Sequence, residues 1–331
     1  MTFKRMIIAE IGSVHDGSFG NAKRLIEAAA ACGADAVKFQ THISEAETLK
    51  DAPSPSYFKA EPRFEYFNRT GFTFSQWQEL KDCCEKSNVL FMSSPFSLEA
   101  VDLLEKLGMS IYKIPSGEVT NIPFLERVAQ TKKPVILSSG MSSWEELDFA
   151  VNTLKKGGPL SILQCTSEYP CTEEKVGLNI LNEMKNRYQV PIGLSDHTMG
   201  FAAPLAAVAM GAVIIEKHFS FSRLMYGSDA KHSMVPEEFT LLCKEIKSLW
   251  KMLDHPVNKS DVSAFQDMKS IFQKSIVLAC DLDAGTLIEK KHLAFKKPGD
   301  GISASEYQSI IGKKLVRKFN RDHKLEWKDL E

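Results

Sequence analysis

Residues 193–198 read Gly193-Leu194-Ser195-Asp196-His197-Thr198. An apolar, alanine-rich run follows, then Val213-Ile214-Ile215-Glu216-Lys217-His218-Phe219 and Gly227-Ser228-Asp229. His197 and His218 each close a short apolar run that reads as a buried strand. Positions 197 and 218 are 21 apart, about the length of one helix plus one strand. That spacing sets the two imidazoles on adjacent parallel strands, at the same edge of the sheet. Such a pair can hold a divalent metal, with Asp196, Glu216 and Asp229 nearby to supply charge. One histidine alone in this setting is more often a satisfied core residue. Two in register, ringed by three acids, favour the metal.

The same pattern extends in both directions. The strand-like runs are 6–12, 36–41, 89–95, 111–117, 134–140, 160–166, 191–197 and 212–219. They are nearly continuous in apolar residues, as strands covered on both faces should be. Helix-like stretches alternate with them: 21–32, 75–87, 98–107, 143–156, 178–188, 201–210 and 236–253. Ser75, Ser97 and Ser142 or Ser143 stand where N-caps belong, and Trp144-Glu145-Glu146 gives one helix an acidic first turn. Eight β/α units in about 250 residues specify a TIM (β/α)8 barrel over an open doubly wound sheet. The long connection 42–74, rich in Pro, Tyr and Phe, reads as a lid or dimer element.

In such a barrel the C-terminal strand ends form the active face. They carry Glu10, Lys38 with Gln40 and His42, Ser94, Lys113 with Ser116 and Glu118, Ser138, Ser167 with Tyr169, Ser195 and His197, and His218. A lysine inside an apolar strand is unusual, and Lys38 and Lys113 are both placed so. A buried ammonium is costly unless an anion meets it. Salt bridges to Glu10 and Glu118 are one solution. A dianion pocket is the other, with the serine hydroxyls donating to a phosphate. The chain has no P-loop and no dinucleotide fingerprint.

Residues 1–255 are assigned to the barrel, 256–270 to a polar linker and 271–331 to a small, mostly β module. In that module 275–279 reads as a strand, 281–288 as turn and strand, and 296–302 as a Gly/Pro loop. The net charge of −1 gives no field for nucleic acid or an anionic membrane. No apolar run reaches membrane-spanning length, and the first residues lack a signal-peptide core. Seven cysteines without framework spacing point to reduced thiols in a cytoplasm.

Together, the motifs resemble the sialic acid synthase family. They are Ile8-Ala9-Glu10-Ile11-Gly12, Val37-Lys38-Phe39-Gln40-Thr41-His42, Tyr112-Lys113-Ile114-Pro115-Ser116-Gly117-Glu118, Leu137-Ser138-Ser139-Gly140-Met141, 193–198, Glu216-Lys217-His218-Phe219 and Pro298-Gly299-Asp300-Gly301. The likeness spans nearly the whole chain. It implies a TIM barrel followed by an antifreeze-like (SAF) domain, and condensation of phosphoenolpyruvate with an N-acylated aminosugar. It implies His197 and His218 as ligands of a divalent metal, Mn²⁺ first with Mg²⁺ or Co²⁺ as alternatives. Lys38, Ser94, Lys113, Ser116, Ser138 and Ser195 match phosphoenolpyruvate contacts, and Ser167 stands at a further substrate contact. Gln40, Glu118, Tyr169 and Asp229 match positions beside the sugar or metal. In the mechanism this suggests, Glu118 or Glu10 assists the attacking water. The family's domain-swapped homodimer would bring the loop at Lys297 to the sugar of the other chain. The chain departs from the commonest pattern at Val14 and Ser167, where asparagine is usual, and at Lys297, where arginine is. A lysine keeps the charge and loses the bidentate fork. Another metal-dependent phosphosugar aldolase would use the same strand ends but release no phosphate. A non-catalytic sugar-binding protein would have no reason to bury two lysines beside two histidines.

Overall fold

Eight parallel strands form where the apolar runs stand, in a computed structural model that describes residues 3–54 and 60–331. The strands are β1 (Met6–Gly12), β2 (Ala36–Thr41), β3 (Leu90–Pro95), β4 (Tyr112–Ile114), β5 (Val135–Ser138), β6 (Leu160–Cys165), β7 (Ile192–Asp196) and β8 (Ile214–His218). Ladder bonds join them in the order β3-β2-β1-β8-β7-β6-β5-β4, and β3 and β4 lie alongside each other at the remaining seam. This is the TIM-type barrel the spacing specifies. Several strands are shorter than the apolar runs. The run 111–117 ends as strand at Ile114, because Pro115 has no N–H for the ladder, and Ser116–Glu118 turns as a 3₁₀ helix.

Successive strand side chains point to opposite faces, and this alternation sorts the residues into layers. Ile8, Ala36, Met92, Ile111, Ile136, Leu163 and Ile214 cluster together and fill the lower barrel. Val37, Phe39, Leu137, Ile162, Leu194 and Ile215 belong to the core shared with the helices. Two residues beyond the inward apolar set come Glu10, Lys38, Ser94, Lys113, Ser138, Cys165 and Glu216, all buried. The polar layer therefore lies on an apolar floor. Each fully buried Ile, Leu or Phe beneath it contributes about 1.5–3 kcal/mol of transfer free energy.

The helices begin where side chains can meet unpaired backbone N–H groups. Ser18 caps α1 (Phe19–Ala31), Ser97 caps α5 (Leu98–Lys106) and Ser143 caps α7 (Trp144–Leu154). The cap of α4 (Phe74–Lys86) is Thr73, not Ser75 as the sequence reading has it. Thr73 wins because Gln76, three residues on, completes a reciprocal capping box. The 42–74 connection contains α2 (Ser44–Glu47) and α3 (Arg63–Thr70). Its residues 55–59, part of the proposed lid or dimer element, lie outside the described residues. α6 (Ile122–Gln130), α8 (Leu178–Tyr188), α9 (Ala202–Ala209) and α10 (Pro236–Leu253) complete the outer layer.

The chain divides into compact units Met1–His255 and Pro256–Glu331. In the second, β9 (Ser275–Leu278) pairs antiparallel with β10 (Leu293–Lys296). Ile276, Leu278, Ile288, Ile302, Ile310, Leu315, Phe319 and Leu325 form its core. The expected strand within 281–288 reduces to isolated bridges, Leu282 with Phe319 and Leu287 with Lys314. The segment 256–270 is not uniformly irregular, since α11 (Gln266–Phe272) begins within it. Phe265, Met268 and Ile271 recur at the helical period and carry that signal. Among the described residues no helix is long and apolar enough to cross a membrane.

Candidate active site

Four charged side chains share the polar layer. Lys38 Nζ lies 3.0 Å from Glu10 Oε1 and 3.7 Å from Glu216 Oε2. Lys113 Nζ lies 3.4 Å from Glu216 Oε1. The lysines are therefore met by carboxylates, but the partner of Lys113 is Glu216 and not Glu118 as the sequence reading allows. Each lysine also donates to a serine on the neighbouring strand: Lys38 to Ser94 Oγ at 3.3 Å and Lys113 to Ser138 Oγ at 2.7 Å. Ser195 donates to Glu216 Oε1 at 2.9 Å. Lys38, Lys113, Ser94, Ser138 and Ser195 thus converge on one volume.

Their protonation follows from burial and neighbours. Burial raises the pKa of Glu10; Lys38 pulls the other way but is outweighed. Burial works against charge on Glu216 as well, yet Lys113 and Lys38 together hold it below the usual carboxylate range. Burial lowers Lys113 despite Glu216. For Lys38, burial is overcome by Glu10 and Glu216, and its pKa rises. Glu10 Oε2 is enclosed without a hydrogen-bond partner. Two lysines with raised and lowered pKa, beside hydroxyl donors, suit an anionic ligand able to accept from all of them.

The histidines stand one step nearer the mouth. Their ring centroids are 5.4 Å apart. His197 Nδ1 donates to the Thr166 carbonyl at 2.8 Å, which leaves Nε2 as a free lone pair, the usual arrangement of a metal-ligating histidine. Burial lowers its pKa to about 4, with His218 adding to the effect. His218 Nδ1 is buried without a hydrogen bond, and Asp229 Oδ2 lies 3.8 Å away. Among the described residues no group of three or more His, Cys, Asp or Glu side chains is gathered as metal ligands. The donor set is thus two imidazoles, which fits a divalent ion completed by water and substrate oxygens. The Tyr169 ring packs 4.2 Å from His197 and 5.8 Å from His218. Asp196, one of the acids expected nearby, turns away to pair with Lys217, as strand alternation requires.

The rim adds the remaining positions. Gln40 Nε2 donates to Glu10 Oε1 at 2.8 Å. Gly12 ends β1 at φ +53°, where a methyl group would lie 2.9 Å from Asp229 Oδ2 and 3.3 Å from Gln40 Nε2, so these two flank it closely. Ser116 and Ser167 share a hydrogen bond of 2.9 Å. Glu118 is half-buried and accepts from Asn121 at 2.8 Å; burial raises its pKa. It stands apart from the four-charge cluster. Lys297 belongs to the second unit, where its ammonium lies 5.0 Å above the Phe272 ring. Glu216 was readable only as a neighbour of His218. Counting back two residues along the same strand face gives it, once Lys113 is seen to need a counterion. Glu47, which bonds His42, has no sequence signal of its own.

Residues 25–258 match the NeuB family and residues 273–331 the SAF domain. The N,N'-diacetyllegionaminic acid synthase of Campylobacter jejuni is 38% identical over 328 residues, spanning 96% of this chain and 98% of that protein. The synthase of the same name from Legionella pneumophila is 35% identical over 336 residues, spanning 98% and 94%. The crystal structure of N-acetylneuraminic acid synthetase from Leptospira borgpetersenii, in complex with citrate, superposes with a TM-score of 0.71 at 35% identity, over 81% of this chain and 91% of that one. Barrel, SAF domain and relatives define an enzyme of the sialic-acid-synthase type. The chain belongs to the NeuB family.

Proposed function

We propose that the enzyme condenses phosphoenolpyruvate with an N-acylated aminohexose, giving a nine-carbon 2-keto acid and inorganic phosphate. The single observation that carries this is the buried pair Lys38 and Lys113, each bonded to a strand-end serine, in a barrel whose His197 and His218 rings lie 5.4 Å apart. The lysines with Ser94, Ser116, Ser138, Ser167 and Ser195 hold the phosphate and carboxylate. His197 and His218 hold a divalent ion, Mn²⁺ first and Mg²⁺ or Co²⁺ as alternatives, which when bound polarises the sugar aldehyde as a Lewis acid. Gln40, Tyr169 and Asp229 orient the sugar. The enol carbon bonds to the aldehyde carbon, whose oxygen takes a proton. Water adds at C2, losing a proton to Glu118 or Glu10. The bond from C2 to the phosphate oxygen then breaks, the C2 hydroxyl becomes the keto group, and its proton leaves with the phosphate. Holding the two reactants together supplies much of the rate, and the lysines stabilise the phosphate charge.

The acceptor is a 2,4-diacetamido-trideoxyhexose of the kind that gives legionaminic acid. The two relatives named as diacetyllegionaminic acid synthases, matched almost end to end, support this choice. The same reading makes the enzyme a homodimer in which Lys297 of the partner subunit completes the acceptor site.

Phosphate release from phosphoenolpyruvate, with Mn²⁺ and a panel of N-acylated hexosamines, with and without EDTA, tests the reading. Metal-dependent release is expected with the diacetamido sugar. Release with N-acetylmannosamine alone would overturn the acceptor assignment. Product formation without phosphate release would overturn the synthase chemistry.

A further inference from the structure

We infer that His42 and Glu47 form a positioning pair for Glu10, acting through the Gln40 amide. His42 Nδ1 lies 2.7 Å from Glu47 Oε1, and His42 Nε2 lies 3.1 Å from Gln40 Oε1. Gln40 Nε2 in turn donates to Glu10 Oε1 at 2.8 Å. The His42 and Glu47 side chains are each 4% exposed. The chain of bonds runs from the short helix α2, through the end of β2, to the carboxylate that Lys38 also holds.

With Glu10 ionised, donor and acceptor counting assigns the protons. Glu10 Oε1 accepts from Lys38, so the Gln40 group facing it is its NH₂. The Gln40 carbonyl must then face His42, and His42 Nε2 must carry a proton. The other ring nitrogen, Nδ1, meets Glu47 Oε1, and that bond works against the lowering of the His42 pKa that burial imposes. His42 cannot turn away from this arrangement. Its ring is stacked between Phe67 at 3.6 Å and Phe96 at 4.1 Å, tilted by 18° and 21°. The charged and titratable groups around it are Glu47 on α2, Arg63 on α3, Asp229 after β8 and His15 after β1. Without the His42 Nε2–H, the Gln40 amide loses what sets its orientation. Turned over, it would aim a carbonyl at the Glu10 carboxylate and displace it. A displacement of about 1 Å at a reacting group costs as much as 10²-fold in rate. No sequence feature links position 42 to position 47 with Glu10. The fold makes the connection.

His42→Phe keeps the aromatic stack and removes both bonds. The kinetic arm of the test rests on the synthase reading above; the spectroscopic arm does not. In the first, His42→Phe is expected to lower kcat about 10- to 100-fold, with KM for phosphoenolpyruvate changed by less than about twofold. The Gln40→Ala/His42→Phe double variant is expected to be no slower than Gln40→Ala, because both act on one link. An unchanged kcat, or additive losses, would overturn the pair. In the second, NMR of protein labelled with ¹⁵N-histidine is expected to show a protonated Nε2 on His42 that persists in Glu47→Gln. A bare Nε2 in the wild type would overturn it, whether or not any sugar is turned over.

Discussion

Lys113 and Glu216 meet inside the barrel at 3.4 Å, with side chains 2% and 6% exposed. A buried ion pair adds little stability over apolar residues of the same shape, but breaking one leaves an uncompensated charge. Glu216 has a second ammonium, Lys38, at 3.7 Å. The proposed phosphate site makes two separate demands on this pair, one on stability and one on anion binding, and each can be measured.

Glu216→Gln leaves Lys38 with Glu10 at 3.0 Å but takes from Lys113 its one ion-pair partner among the described residues. Loss of one partner of a buried pair costs about 3–5 kcal/mol, so the urea midpoint at neutral pH is expected to fall. The sign with pH follows from the depressed pKa of Glu216. Its contribution is present above the unfolded value near about 4.3 and is lost as pH falls toward the folded one. The variant's stability should therefore fall less steeply on acidification below that point. Inorganic phosphate should raise its Tm more than the wild type's, since it replaces the missing counterion. A variant equal to wild type in both urea and phosphate response would show that Glu216 does not neutralise the lysines.

His15 gives a second pH signature. It is 2% exposed, accepts from the Gly17 N–H through Nδ1 at 3.1 Å and packs 4.6 Å from the Phe72 ring. Burial lowers its pKa to about 4. The unfolded chain binds a proton near about pH 6.5, so between 6.5 and about 4 the unfolded state holds more protons and stability falls as pH falls. The full window is worth on the order of 3 kcal/mol at about 1.36 kcal/mol per unit. His15→Phe, studied in EDTA, should flatten the urea-stability profile over that window. An unchanged profile would place the acid sensitivity elsewhere.

The layers of this site were legible because strand alternation is strict. From His218 the inward face reads back to Glu216 and Ile214, and from Lys38 to Ala36, so charge above and apolar floor below follow from the period of two. Strand ends alone carry the sequence reading, and Lys38, Lys113, His197 and His218 do stand in or just after the strands at which it places them. What resisted was pairing across loops. The 42–74 connection has no periodicity that announces Glu47 against His42. The partner of Lys113 depends on which strands adjoin across the barrel interior, and spacing along the chain does not encode that. Capping was read one turn element too late at α4, because a serine at 75 masks a threonine whose box partner is a glutamine.

Gly140 tests the seat of Ser116 and Ser167. It sits after β5 at φ +39°, and a methyl group there would lie 1.9 Å from Ser116 Cβ, 2.4 Å from Ser116 Oγ and 2.8 Å from Ser167 Oγ. The first of these cannot be relieved by a rotamer change, since Cβ is fixed to the backbone. Gly140→Ala must therefore push the 3₁₀ turn at Ser116–Glu118 outward. A loss of roughly 1–3 kcal/mol is expected, the range for a strained backbone position, together with at least tenfold weaker phosphoenolpyruvate binding by calorimetry. Stability lost with binding intact would show that Ser116 and Ser167 do not contact that ligand.

The two histidines can be separated from the rest of the site by metal affinity alone. His197 is oriented by its Nδ1 bond to the Thr166 carbonyl, so its ring is already set for a ligand at Nε2. Among the described residues His218 Nδ1 makes no hydrogen bond, and Asp229 Oδ2 lies 3.8 Å from it, too far for a good one. If both imidazoles bind one ion, either alanine variant leaves a single protein nitrogen donor, and the double variant has little more to lose. Calorimetric titration with Mn²⁺ is expected to show a loss of about 100-fold or more for His197→Ala and for His218→Ala, with strong non-additivity in the double variant. Asp229→Asn should cost less, about 10-fold, as outer-shell partners of ligating histidines do. Additive losses would mean two independent weak sites. Full affinity in either single variant would remove that histidine from the donor set and leave the ion to be held elsewhere in the barrel mouth.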